Sequence, residues 1–205
     1  MVRTPEELDL MRISGKLLAS VFDTLDQEDL TGLSTMQIND LVDRFITNDL
    51  QARPASKGQY DYAYVLNCSV NNVVCHGKPS DSAVLRSGDI VNLDVTLEKN
   101  GFIADSSKTY VIGEVHARAH RLVRAAEGAM WSGIKQVRLG ATLGDVGYAI
   151  QRFARKQGYA AVREYCGHGI GREMHEEPQV LNYGQARPGF DAPRGHGVHR
   201  RADGQ

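Results

Sequence analysis

The sequence predicts an α/β protein of the α+β kind, built from two similar helix–helix–sheet halves of which the second is incomplete. Three observations carry this reading: helices announced by their caps, a β-hairpin with a two-residue turn, and a stretch that recurs at a constant offset.

The first helix opens on Thr4 as N-cap, with Pro5 at the first helical position and Glu7 closing a capping box. Leu8, Met11, Leu18, Val21, Phe22 and Leu25 then follow at helical spacing. A second helix starts near Ser34, with Gln37 three residues on, and turns Ile38, Leu41, Val42 and Phe45 inward. A stretch holding Tyr60, Tyr62 and Tyr64 leads into β-type segments at residues 64–74, 90–97 and 102–112. Asn100-Gly101 between the last two signals a type I′ hairpin, because both turn positions need positive φ. A third helix is expected over residues 116–137. A fourth is expected over residues 142–157, ending on Gly158 as a left-handed cap. Residues 160–165 read as one more strand.

Gly32, Ser34, Ile38, Val42, Arg44 and Phe45 recur as Gly140, Thr142, Val146, Ile150, Arg152 and Phe153, a constant offset of 108 residues. Similarity at a fixed offset of half a domain points to two halves related by a pseudo-twofold; two amphipathic helices with similar caps would read alike. On the first of these readings the hairpin carboxylates Asp94 and Asp105 would find counterparts at positions 202 and 213, the second past residue 205.

At 205 residues, 41% hydrophobic and 24% charged, the chain is long enough for a real core and ordinary for a soluble protein. A net charge of -1 gives no electrostatic reason to expect a nucleic-acid or acidic-membrane partner. No apolar run nears the length of a membrane span, and the first residues lack the apolar core of a signal peptide, so the cytoplasm is expected. Cys68, Cys75 and Cys166 are odd in number, far apart and free of any CxxC pair, which suits a reducing compartment and argues against a cysteine zinc site. Each is expected to be a small buried residue.

Chemistry concentrates in the hairpin and one glycine-rich loop. With the turn at Asn100-Gly101, Thr96 faces Asp105, so Asp94 and Asp105 project from the same face as diagonal neighbours. Two carboxylates that close call for a cation between them, and hard oxygens suit a divalent metal. Leu93, Val95 and Leu97 cover the opposite face, so two solvated aspartates on an amphipathic strand fit as well. Further along, His168 stands between glycines that let the backbone approach a ligand, and His175 follows in the same loop. His76 sits in a similar Val-Val-Cys-His-Gly turn. His175-Glu-Glu-Pro is no zincin helix, because Pro178 would break it. Neither a nucleophile elbow nor a Walker loop occurs.

The strings Asn71-Asn-Val-Val-Cys-His-Gly-Lys-Pro, Gly88-Asp-Ile-Val-Asn-Leu-Asp-Val-Thr, Gly101-Phe-Ile-Ala-Asp-Ser-Ser-Lys-Thr and Glu164-Tyr-Cys-Gly-His-Gly-Ile-Gly resemble type I methionine aminopeptidases. The resemblance runs over roughly residues 4–186. It implies the pita-bread fold over residues 1–187, short of its C-terminal strands, with residues 188–205 a tail outside it. It implies Asp94, Asp105 and His168 as metal ligands, His76 as a contact to the substrate peptide and His175 as a stabiliser of the oxyanion. The implied cofactors are divalent metal ions (Co, Mn, Fe or Zn), two in the family and one or none here. The implied partners are nascent peptides with an N-terminal methionine, met at the ribosome. No nucleic-acid recognition and no membrane are expected, and the chain is expected to be a monomer. Lys57-Gly-Gln-Tyr-Asp-Tyr departs from the family's methionine-pocket pattern and leaves that pocket unassigned.

The family's two glutamate ligands are not found in these 205 residues, so impaired activity is expected, with a non-catalytic peptide- or metal-binding module as the alternative. One of them belongs to a Phe-Thr-[Ile/Val]-Glu-Pro segment. Writing Val198 to Gln205 as GTT CAC CGT CGA GCC GAT GGT CAA and reading one base on yields Phe-Thr-Val-Glu-Pro-Met-Val. A frameshift is therefore the expected origin of this tail. A single-base correction between the codons for Gln185 and Gly195 should reopen a frame several tens of residues longer, which resequencing checks; an early stop in that frame would rule the account out.

Overall fold

The computed structural model describes residues 3–185, so the tail expected from residue 188 onward lies outside the described residues. The chain divides into two compact units, Met1–Val123 with His168–Gln179, and Arg124–Gly167 with Val180–Gln205.

In the first unit, α1 (Pro5–Leu25) and α2 (Thr35–Arg44) begin as the sequence indicates. Thr4 and Ser34 accept from the backbone N–H of Glu7 and Gln37, whose side chains accept in return from the cap backbone. A π-type turn, Phe45–Asp49, follows α2. The sheet is antiparallel around β3 (Ile90–Lys99). One edge of β3 pairs along its whole length with β4 (Phe102–Val111); the other pairs with β2 (Leu66–Val70) and the short β1 (Arg53–Pro54). Asn100 and Gly101 take φ of 56° and 79°, the type I′ signature.

The pleat of β3 organises this unit. Val91, Leu93, Val95 and Leu97 are fully buried and meet Leu18, Val21 and Leu25 of α1 and Ile38 and Val42 of α2 in one core. α1 lies on β3 and β4, and Ser14 donates to the carbonyls of Lys99 (3.2 Å) and Phe102 (2.9 Å) at the hairpin end. The alternate residues Asn92, Asp94 and Thr96 are left to the other face, where the chemistry is.

The second unit holds most of α3 (Ala117–Ile134) and all of α4 (Leu143–Lys156). Glycines bring the two helices close: a side chain at Gly133 would meet Ile150 at 2.7 Å, and one at Gly128 would meet the Phe153 ring at 2.5 Å. The 108-residue repeat reappears in the geometry. Thr142 caps α4 through a box with Asp145 as Ser34 caps α2 with Gln37, and Gly32 and Gly140 take φ of 82° and 81°. Among the described residues this unit has no counterpart of the β1–β4 sheet.

The strand expected at residues 160–165 is not formed. Its apolar run finds no partner ladder, and an unpaired strand leaves its N–H and C=O groups unsatisfied. Arg163 instead stacks on Tyr183 at 4.7 Å, and pairing shifts downstream to β5 (Gly167–Gly169) against β6 (Glu176–Val180). Glycine permits this: a Cβ at Gly169 would come within 2.5 Å of the Glu177 carbonyl oxygen. Of the cysteines, only Cys68 is buried as expected; Cys75 and Cys166 are half-buried, and all three are free thiols.

Leu93→Ala should destabilise the fold by about 2–5 kcal/mol in urea titration, since it opens a cavity among fully buried neighbours. Leu139→Ala, at a fully exposed position, should leave the midpoint unchanged.

Candidate metal centre

The hairpin register places Thr96 opposite Asp105 and Asp94 opposite Ser107, so the two carboxylates are diagonal neighbours on the face away from the core, as the sequence indicates. Asn67, opposite Asp94 on β2, donates its side-chain N–H to Asp94 Oδ2 at 3.1 Å. Sequence reasoning missed Asn67, because its position beside Asp94 depends on how β2 registers against β3, which no local signal fixes.

Asp105 is the strained member. Burial, then the negative charge of Asp94 and a hydrogen bond shared with it, push its carboxyl up to about 7, while His168 pulls the other way. His168 Nε2 lies 3.5 Å from Asp105 Oδ2. The other ring nitrogen, Nδ1, is 2.9 Å from the Gly169 carbonyl oxygen. A carbonyl can only accept, so Nδ1 carries a proton and Nε2 is the ring atom on the Asp105 side.

His175 reaches the same place from the loop between β5 and β6. Its ring centroid is 4.5 Å from that of His168, and burial, then the charges of His168 and His76, lower its pKa. The loop is tied down at both flanks. Ile103 donates to the Gly171 carbonyl at 2.7 Å, Glu176 accepts from the backbone of Arg172 and Glu173, and Glu176 pairs with Arg3. His76 is held in a left-handed conformation, φ 55°. Its neighbour Gly77 packs so closely on β2 that a Cβ there would collide with the Cys68 carbonyl, and Cys68 N–H donates to Gly77 O at 2.7 Å.

Aromatic rings line the approach. Tyr60, 85% exposed and itself left-handed, has its ring centroid 6.4 Å from that of His175. Tyr62 meets Tyr64 edge-on at 5.4 Å and donates to the Leu66 carbonyl; burial first, with the nearby Cys68, Tyr64 and Asp94, pushes its hydroxyl up to about 12. Among the described residues no three His, Cys, Asp or Glu side chains close into a ready metal cage. Asp105 nonetheless touches both Asp94 and His168, and an oxygen–oxygen–nitrogen donor set of this kind suits a divalent cation.

The sequence signature of metallopeptidase family M24 matches residues 9–196. The chain belongs to metallopeptidase family M24. A methionine aminopeptidase of Escherichia coli K12 is 41% identical over 182 residues, 89% of this M24 chain and 69% of the relative. The crystal structure of methionine aminopeptidase from Rickettsia prowazekii superposes with a TM-score of 0.87 at 42% identity, covering 90% of this chain and 74% of that one. The methionine aminopeptidase of Thermotoga maritima gives 0.86 at 36% identity with the same coverage. The fold of this M24 chain is thus the pita-bread fold, and by resemblance it is an enzyme of the methionine aminopeptidase group. No helix among the described residues is long and apolar enough to cross a membrane.

The Asp105 carboxyl gives a pH test on metal-free protein. Its folded pKa of about 7 lies above the ordinary 3.8, so the folded state binds the extra proton between these values. Stability in chelator should therefore fall as pH rises from about 4 to about 7. Asp105→Asn should flatten that dependence and be the more stable protein at pH 8 in urea unfolding. A less stable variant there would contradict the assigned repulsion.

Proposed function

We propose that the chain removes N-terminal methionine from peptides by metal-dependent hydrolysis, with Asp94, Asp105 and His168 holding a divalent ion and His76 and His175 serving the substrate. The observation that carries this reading is the shared position of Asp105, between the like charge of Asp94 and the Nε2 atom of His168. A cation there satisfies a carboxyl that burial otherwise drives toward its neutral form. When bound, a divalent ion supplies a water of lowered pKa and polarisation of the scissile carbonyl.

The chain's own residues do the rest. His175, its pKa lowered, is neutral at pH 7 and offers a single N–H donor toward a developing oxyanion without adding full positive charge beside the ion. His76, fixed by the clamp of Gly77 on β2, lies close enough to His175 to depress its protonation and contacts the peptide backbone. The substrate is a nascent peptide carrying methionine before a small residue, met in the cytoplasm at the ribosome by a monomeric enzyme. Co, Mn, Fe and Zn all suit the donor set, and one ion, weakly held, is expected.

A Met-Gly-Met-Met peptide incubated with excess protein and Mn or Co should release methionine, and chelator should stop it. Turnover by the 205-residue polypeptide is expected to be slow, lower by about 10²–10⁴ where a carboxylate base does not assist. Asp105→Ala should abolish both release and calorimetric metal binding. His175→Ala should keep metal binding and lower kcat by about 10²–10³. Methionine release that ignores chelator, or survives Asp105→Ala, would refute the proposal.

A further inference from the structure

Several polar side chains on the sheet face away from the core are tied to each other or to a neighbouring turn. Asn92 donates to the Ser107 and Thr109 hydroxyls at 3.3 and 3.1 Å. Thr96 shares a buried hydrogen bond with Ser56 at 2.6 Å, and Ser69 accepts from the Gly77 N–H at 3.2 Å. Asn67 differs, because its side-chain N–H goes to Asp94 Oδ2. The donor is also unlike those met by other carboxylates of the chain. Asp26 is paired with Lys108, Asp43 with Lys57, Glu98 with Arg53 and Glu176 with Arg3, each partner a cation. Asp94 receives a neutral amide.

That difference has a chemical consequence. A lysine or arginine at this place would neutralise the carboxylate and compete with a metal ion for it. An amide takes one lone pair of Oδ2 and leaves Oδ1, the second Oδ2 lone pair and the negative charge to a cation. The amide is also held on target. Asn67 lies directly opposite Asp94 in the β2–β3 ladder, and its neighbours Leu66 and Cys68, 0% and 4% exposed, belong to the core. Slipping β2 by one residue would carry both out of that core, so Asn67 stays within cross-strand reach of Asp94.

We infer, resting on the reading of Asp94 as a metal ligand, that Asn67 is a positioning residue of the metal centre, whose amide fixes the Asp94 carboxylate in the orientation that receives a divalent ion. The rotation of Asp94 is restricted on folding, so ion binding does not have to restrict it.

Calorimetric titration of the full 205-residue chain with Mn tests this. Asn67→Leu keeps the shape of the side chain and removes the donor, and should weaken Mn binding by about 10–100-fold. Asn67→Ala serves if the leucine variant does not fold. Asn92→Ala, two residues from Asp94 on the same face of β3, should leave the affinity unchanged. A second readout is spectroscopic. The side-chain amide proton pair of Asn67, identified by its absence in Asn67→Leu, should shift in NMR spectra when Zn is added, while that of Asn92 stays in place. Unchanged affinity in the Asn67 variants, an equal loss in Asn92→Ala, or an Asn67 amide signal that ignores Zn overturns the inference. A parent chain that binds neither ion overturns the metal reading itself and the role of Asn67 with it.

Discussion

Two carboxylates share one face of a hairpin whose other face is locked into the core, and the arrangement of the site follows from that constraint. Leu93, Val95 and Leu97 have no exposure at all, so β3 cannot rotate or slip by one residue without driving leucine and valine into water. Asp94 is thereby fixed on the opposite face, and the type I′ turn fixes Asp105 diagonally across from it. Apolar burial holds in place a charge pair that electrostatics alone would separate.

The remaining groups relieve that conflict. Asn67 turns an N–H donor onto Asp94, and His168 brings its Nε2 within 3.5 Å of Asp105. Each depends on a strand that crosses a long stretch of sequence to reach the hairpin. The loop that follows His168 of β5 and bears His175 is anchored to β4 through Ile103 and to the N-terminal arm through Arg3 and Glu176. A small apolar cluster of Ala55, Ile103 and Met174, with Ile170 against it, sits beneath. This loop is thus fastened by hydrogen bonds and a modest patch of packing, whereas the β3–β4 hairpin is fastened by the core. Local motion falls more easily to the loop than to the hairpin.

The duplicated framework uses opposite packing chemistry in its two halves. In the first, α1 and α2 contribute large side chains, Leu25 with Ile38 and Val42, to one cluster. In the second, glycine and alanine on α3 let Val146, Ile150 and Phe153 of α4 approach the helix backbone. The large residues of α3 are displaced to a different side, where they stand exposed. Similar sequence at a fixed offset has kept the caps and turns, since these are local, while the side-chain volumes have been redistributed.

By itself the sequence determined the helix starts, the hairpin turn and the shared face of Asp94 and Asp105. Each of these depends on residues within a few positions of one another: capping boxes at Thr4 and Ser34, positive φ at Asn100-Gly101, and the period-two pleat of β3. It also carried the family resemblance through short strings around His76, Asp94, Asp105 and His168, whose backbone demands are local. What only the tertiary structure decided was pairing at a distance. Residues 160–165 have the composition of a strand but no ladder to join, whereas Gly167–Gly169, poor in strand formers, becomes one because Glu176–Val180 lies alongside. The bond from Asn67 to Asp94 and the approach of His168 to Asp105 likewise follow from which strand lies beside which, and contacts between segments more than twenty residues apart leave no periodicity to read in either segment alone.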